Sequence, residues 1–340
     1  MDQAERPPLE VHCLPVFADA EPMVPARSVL TLRFGGESGV CRRADGLDIR
    51  VGLDPLAGTD AVEYWTTSEA VETGVRGDLV YACGESFLLG CWFQAHAPED
   101  DPDAATEAAY REILAACEAL GFGYLTRVWN YLPAINAARA GQERYRSFCT
   151  GRARVFEALP AYENILPAAT AIGTHGDGLL VYFVATGRPP ERVENPRQVS
   201  AFRYPRQYGP RSPSFARASL WFARPDSAQL FISGTASIVG HESRHPGDLE
   251  AQIDESLRNV GTVLGEAAAH HPIAPGEPAD LALLKVYLRH PEDAPRAARH
   301  LRERVGERVA VMILHGDICR AELLVEIEGH YAPGHGARGE

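Results

Sequence analysis

A weak internal repeat runs through this chain and narrows the folds open to it. Leu79-Val-Tyr-Ala-Cys-Gly84-Glu-Ser-Phe-Leu-Leu-Gly90 and Leu230-Phe-Ile-Ser-Gly234-Thr-Ala-Ser-Ile-Val-Gly240 are apolar runs leading into glycines six apart, and the glycines are offset by 150 residues. A helical pattern follows each, at residues 105–120 and 249–264, the second opened by Pro246-Gly-Asp248. Each helix leads into a strand, at residues 124–130 and 281–288, and then into a second helical stretch, at residues 142–159 and 294–305. The same order of elements occurs twice, which predicts an α+β chain built from two copies of one unit. With 340 residues at about 150 per domain, the division falls at 1–160 and 161–331, and residues 332–340 read as a flexible tail. Before residue 80 the pattern is less regular, although Ser28–Phe34 is a clear strand.

The last part of the chain reads as one long strand, from Arg308-Val-Ala-Val-Met-Ile-Leu314 through Gly316-Asp to Glu322-Leu-Leu-Val-Glu-Ile-Glu328. Alternation puts Leu323, Val325 and Ile327 on a core face and Leu324, Glu326 and Glu328 on the other.

Several chemistries are set aside by composition. The formal charge is −13, which disfavours nucleic acid and anionic membrane surfaces as partners. Lys285 is the only lysine and follows no glycine-rich loop, so neither a lysine Schiff base nor a phosphate-binding loop is indicated. The seven cysteines are scattered, with no C-x-x-C pair, and argue for a reducing compartment rather than a disulfide or zinc framework. No targeting segment or apolar run of membrane-spanning length is visible, which reads as a cytoplasmic protein. His241-Glu-Ser-Arg-His245 matches H-E-x-x-H, but Pro246-Gly247 directly after it places it in a turn ahead of a helix, so no metal is expected.

Two features carry candidate chemistry. Residues 197–224 hold six arginines and no acid, together with Phe202, Tyr204, Tyr208 and Phe215. Guanidinium forks grip carboxylates and aromatic faces hold flat rings, as a small, cyclic, multiply anionic substrate requires; a solvated loop is the competing reading. Glu326 and Cys319 are the second feature. A half-buried glutamate can act as a general acid and a thiol can assist, against the alternative of a solvated outer-face glutamate and an inert core cysteine. Alternation puts the two on opposite faces, so they share a site only if a break intervenes near residues 320–322. Asn130, Arg152, Arg154, His175, Thr235 and Ser237 are further polar candidates near strand ends or turns.

Phe231-Ile-Ser-Gly-Thr-Ala-Ser-Ile-Val-Gly-His241, His245-Pro-Gly-Asp248, the helix at 252–259 and Glu322-Leu-Leu-Val-Glu-Ile-Glu328 resemble the Rid (reactive intermediate deaminase) fold. Gln198-Val-Ser-Ala-Phe-Arg-Tyr-Pro-Arg-Gln-Tyr-Gly-Pro-Arg-Ser-Pro-Ser-Phe215 and Gly316-Asp-Ile-Cys-Arg320 resemble the chorismatases. That family includes 3-hydroxybenzoate synthases and the bifunctional synthases of aryl-polyene pigment formation. The resemblance implies two tandem Rid-like (chorismate-mutase-like) domains, the N-terminal copy degenerate. It implies a cofactor-free enzyme that activates the enolpyruvyl ether of chorismate and releases pyruvate, with Glu326 and Cys319 as the catalytic pair. Arg152, Arg203, Tyr204, Tyr208, Arg211, Phe215, Arg217 and Ala236 are then the substrate-binding positions. The product markers disagree. Cys319, seven residues before the glutamate, resembles the aromatising branch and favours 3-hydroxybenzoate, with 4-hydroxybenzoate beside it; Ala236 resembles the hydrolytic branch, which gives a dihydroxycyclohexadiene carboxylate. An imine deaminase or a non-catalytic binding module stays open, as does a monomer or a trimer.

Overall fold

The computed structural model describes residues 7–15, 24–25, 27–56, 61–96, 102–139, 141–224, 227–271 and 276–332. Of the expected tail, only Ala332 falls within them; the rest lies outside the described residues. The segment before residue 80 builds a five-stranded sheet from β1 (Glu10–Pro15), β2 (Ser28–Phe34), β3 (Gly39–Arg42), β4 (Leu47–Val51) and β5 (Ala61–Thr66), in the order β1-β5-β2-β4-β3. Most of these strands are short, with polar residues alternating outward, as in the buried and exposed pattern of Leu47–Val51. That is why sequence periodicity finds only β2.

Two six-stranded sheets follow. The first contains β6 (Glu72–Arg76), β7 (Leu79–Cys83), β8 (Phe87–Gln94), β9 (Tyr124–Pro133), β12 (Ala168–Thr174) and β13 (Leu179–Thr186). Helix α1 (Pro102–Ala119), the short hairpin β10 (Ala138–Arg139) and β11 (Gln142–Glu143), and helix α2 (Arg144–Phe156) are inserted between its strands. The second contains β14 (Glu191–Val193), β15 (Ala218–Arg224), β16 (Ser227–Ala236), β19 (Leu283–Leu288), β20 (Ala310–His315) and β21 (Val325–Tyr331). Its insertions are the hairpin β17 (Ile238–Val239) and β18 (Glu242–Ser243), helix α3 (Leu249–His270) and helix α4 (Ala294–Val305). The orders β12-β9-β13-β8-β7-β6 and β20-β19-β21-β16-β15-β14 are the same when strands are counted within each unit. In both, the fourth and fifth strands pair in parallel.

The inner faces of all three sheets share one core, including Trp65, Trp129, Tyr182, Phe231 and Tyr287. On the outer faces, α1 and α2 pack on the first six-stranded sheet, and α3 and α4 on the second. A strand sandwiched in this way is apolar on both faces, which accounts for Leu179-Leu-Val-Tyr-Phe-Val-Ala-Thr186, buried throughout. The Pro-Gly-Asp start signal of α3 is realised as an N-cap: the Asp248 carboxylate accepts from the Ala251 N–H at 3.1 Å. No described helix is long and apolar enough to cross a membrane.

Three expectations change. The glycine matches are not equivalent, because Gly84 follows β7 in a hairpin turn whereas Gly234 lies near the end of β16; the repeated order of elements is what the structure reproduces. The sheet of β6–β9 runs across the expected boundary at 160/161, since β12 pairs with β9 and β13 pairs with both β8 and β9. The long final strand is two strands, β20 and β21, on opposite sides of β19. Between them the chain is drawn away by Gly173, which exchanges backbone hydrogen bonds with Asp317 at 2.8 and 3.1 Å. Gly316 is pressed against Ile172, leaving no room for a side chain.

Candidate active site

Strand β21 sends Val325 and Ile327 into the core beneath α3 and α4 and turns Glu326, Glu328 and His330 to the inner face. This face is not solvated, as the alternative reading of Glu326 required: the first six-stranded sheet covers it. Opposite Glu328, β16 carries a one-residue bulge between Ile232 and Thr235, which lets two residues oppose one. Gly234 sits in that bulge, where a Cβ would collide with a Glu326 carboxyl oxygen. Only glycine leaves the carboxyl its place.

The two glutamates have opposite environments. Glu328 accepts from Arg127 at 2.8 Å, Trp129 Nε1 at 2.7 Å and Thr170 Oγ1 at 2.6 Å, and pairs with Lys285 Nζ at 3.1 Å. Burial works against its charge, but Lys285 and Arg127 outweigh it and hold the carboxyl below its ordinary range. Glu326, two residues along the same face, receives no hydrogen bond from the described residues. Burial, reinforced by the Glu328 charge and only partly opposed by Arg127 and Arg217, pushes its carboxyl up to about 8. Glu326 is therefore a neutral acid at pH 7.

Glu326 opens into a cavity of about 350 Å³, a size that suits a small metabolite. Helix α2 contributes Tyr145, Cys149 and Arg152, spaced so that they share one helix face. Strand β12 supplies Thr170, and the irregular segment leading to β15 supplies Tyr204, Tyr208, Phe215 and Arg217. The loop after β20 adds Cys319 and Arg320. Arg289 holds that loop in shape: it donates to the backbone carbonyls of Ile318, Arg320 and Leu323 at 2.9–3.1 Å and to Asp317 and Asn136 at 2.6 and 3.1 Å.

Two buried guanidiniums are left without a compensating carboxylate among the described residues. Arg217 donates to Val199 O and Tyr204 Oη at 2.9 and 2.8 Å and lies by the rings of Phe215 and Tyr204. Arg152 lies over Phe148 and reaches Tyr110 Oη at 3.5 Å. Both keep a buried Nε–H with no partner. A charge buried without an opposite charge is costly, and in a cavity wall it is a receptor for an anion. Arg320 spreads over Tyr208, its guanidinium carbon 3.9 Å from the ring centroid, while donating to His241 O at 2.9 Å.

Of the residues expected from sequence, Glu326, Cys319, Arg152, Tyr204, Tyr208, Arg211, Phe215, Arg217 and Ala236 all line this cavity. The break that Cys319 needs is present, because residues 316–324 are loop rather than strand. Burial and the nearby Glu326 hold its thiol far above the ordinary range, so it is a neutral hydrogen donor, not a thiolate nucleophile. Arg203 is the exception. It ends a short 3-10 turn, is 67% exposed and pairs with Glu163 at 2.7 Å, outside the cavity. Arg211 lies at the rim, paired with Glu157 at 3.0 Å. The other polar candidates do not line the cavity: Asn130 donates to Thr170 O at 2.9 Å, Thr235 and Ser237 bond to backbone carbonyls, Arg154 pairs with Asp103, and the His175 ring lies tilted against that of His315. His241 and His245 lie in the β17–β18 hairpin and the turn after it, as the following Pro-Gly suggests. Sequence reasoning passed over Tyr145, Cys149, Thr170 and Arg320; the first two stand seven and three residues before Arg152 and so share its helix face.

A neutral carboxylic acid, a neutral thiol, two uncompensated guanidiniums and several aromatic rings suit protonation of a compact cyclic dianion. Residues 63–185 match the family model described as Chorismatase FkbO/Hyg5-like, N-terminal. The chain is 43% identical over 275 residues to a chorismatase of Streptomyces rapamycinicus, spanning 78% of this chain and 81% of that one. A 3-hydroxybenzoate synthase of Streptomyces hygroscopicus is 40% identical over 275 residues, spanning 78% and 80%. A crystal structure of a chorismatase superposes with a TM-score of 0.86 at 32% identity, covering 95% of this chain and 98% of the other.

Proposed function

The chain belongs to the chorismatase family, and from that premise we propose that it removes pyruvate from chorismate to leave a hydroxybenzoate, 3-hydroxybenzoate first, with Glu326 as the general acid. The observation that carries the reading is the pairing of a neutral Glu326 with buried, uncompensated Arg152 and Arg217 in one cavity. Chorismate is a cyclohexadiene with two carboxylates, and each guanidinium can take one. Tyr204, Tyr208 and Phe215 hold the ring, Arg320 fixes Tyr208, and Ala236 and Gly234 leave room beside the acid. Held in this way, the methylene carbon of the enolpyruvyl group receives the Glu326 proton. The hydroxyl on the neighbouring ring carbon then displaces pyruvate as the ring–ether bond breaks, closing an epoxide and returning its proton to the Glu326 carboxylate. The epoxide opens at the carbon that bore the hydroxyl and the other carbon loses its proton, which gives 3-hydroxybenzoate with no water consumed overall. Cys319 serves as a neutral hydrogen donor in the aromatising step. Ala236, on the strand beside Glu326, favours the hydrolytic branch as a second reading, in which one water is consumed and a dihydroxycyclohexadiene carboxylate leaves.

The identical strand order of the two six-stranded sheets supports reading them as tandem Rid-like units, the first without a catalytic glutamate and the second bearing Glu326. The division then belongs after β13 rather than at residue 160, and residues before β6 form an added sheet. Purified protein and chorismate, with pyruvate followed through lactate dehydrogenase and products separated by chromatography, test the function. Equal amounts of pyruvate and 3-hydroxybenzoate are expected; absence of pyruvate would reject it, and a dihydrodiol would select the hydrolytic branch.

A further inference from the structure

Beside the acid, the structure builds a buried charge cluster that the reaction does not touch. The chain's only lysine, Lys285, bridges Glu63 at 2.9 Å and Glu328 at 3.1 Å and donates to Tyr182 Oη at 3.0 Å. Glu63 in turn accepts from Trp65 Nε1 at 2.8 Å. The cluster draws on all three sheets: Glu63 and Trp65 from β5, Arg127, Trp129, Thr170 and Tyr182 from the first six-stranded sheet, Lys285 and Glu328 from the second. Every member is nine-tenths or more buried. Burying ions in this way is expensive, and hydrophobic residues of similar size would serve stability at least as well. A chain that otherwise has no lysine has placed one here.

We propose that Glu328 is a positioning residue, a fixed buried anion whose role is to keep Glu326 protonated, and that Lys285, Arg127, Trp129 and Thr170 hold that anion in place. This rests on the reading of Glu326 as the acid. The geometry separates the two carboxyls by function. Glu328 takes four donors and cannot leave or accept a proton without breaking them, whereas Glu326 takes none and faces the cavity. Thr170 ties the pair together, donating to Glu328 and accepting the Gly234 N–H at 2.9 Å, next to the Glu326 carboxyl. The groups around Glu326 are Glu328 on its own strand, Arg127 from β9, Arg217 from the segment before β15, Tyr145 from α2 and Cys319 from the loop after β20. Tyr287 is its neighbour across β19. Glu328 is the only acid among these. Side chains two apart on one strand face lie about 7 Å from each other, where one buried charge moves a neighbour's titration by about one to two pH units.

The test titrates the full-length protein with carbon-13-labelled glutamate side chains, using E326Q to assign the Glu326 carboxyl. In wild type, Glu326 is expected to titrate far above the ordinary glutamate range while Glu328 remains ionised throughout. In E328Q the Glu326 midpoint should fall by about one to two pH units. In K285M it should rise, because Glu328 loses one of its two counter-charges. Opposite signs in the two variants are not expected of a merely structural cluster. An ordinary Glu326 midpoint in wild type overturns the proposal without recourse to either variant, and so does an unmoved midpoint in folded E328Q. The titration needs no turnover: if it behaves as expected while chorismate is untouched, the control of the Glu326 proton by Glu328 stands and the functional reading alone fails.

Discussion

Replacing Glu326 by glutamine should make the protein more stable, by an amount that grows as pH rises from about 4.5 to about 8. The folded state holds the Glu326 proton up to about 8, whereas the unfolded chain releases it near 4.5. Between those values the folded state carries more protons, so stability falls as pH rises and levels off above about 8. At about 1.4 kcal/mol per tenfold in proton affinity, the full interval corresponds to ~5 kcal/mol, a ceiling for the penalty of ionising this carboxyl. Glutamine preserves the shape and cannot ionise. Wild type and E326Q should therefore melt nearly together at pH 5, separate progressively through pH 7 to about pH 8, and keep a constant difference from there to pH 9. At about 2 °C per kcal/mol for a chain of this size, the variant should gain up to ~10 °C. Differential scanning calorimetry across that pH series is the assay. A difference that does not change with pH, or that favours wild type at pH 9, would refute the assignment of a buried neutral acid.

Other perturbations separate roles within the cavity. R217M should lower kcat/KM for chorismate by about 10- to 100-fold, the value of one or two charge-assisted hydrogen bonds, while leaving the melting temperature unchanged or higher, because an uncompensated buried charge is removed; a large loss of stability would show that Arg217 is structural. C319A should continue to release pyruvate but change the proportion of products in the chromatogram, since its thiol is neutral; a loss as complete as that of E326Q would make Cys319 a partner in the first proton transfer. R289M removes every hydrogen bond that Arg289 gives the Cys319 and Arg320 loop and should cost about 2–4 kcal/mol in denaturant unfolding, together with a lower kcat, with R289K recovering part of both.

The catalytic half of the fold was largely legible because its elements are long and strongly patterned: α3, α4 and the apolar strand before Gly234 stand near the positions read from sequence. The arginine and aromatic segment was legible as chemistry because no acid interrupts it, yet composition could not tell Arg217, turned inward, from Arg203, turned outward fourteen residues earlier. That distinction is set by a 3-10 turn and by Glu163, neither visible as a pattern. Glu326 is the instructive case. Alternation separates it correctly from Val325 and Ile327, but whether the second face of β21 meets water or another sheet depends on residues some 200 positions away, at Arg127 and Trp129. The final strand was misread for a similar reason, since nothing local announces that Gly173 will capture Asp317. The five-stranded sheet escaped notice because short half-polar strands carry little periodic signal.

If Glu326 donates the proton that releases pyruvate, removing that proton must stop turnover while leaving binding intact. Pyruvate release from chorismate by wild type and E326Q, measured side by side with binding of chorismate to each by calorimetry, tests it most directly. Wild type should release pyruvate rapidly, with the rate falling as pH rises through about 8, and E326Q should release essentially none although chorismate still binds. Near-normal release by E326Q would contradict it.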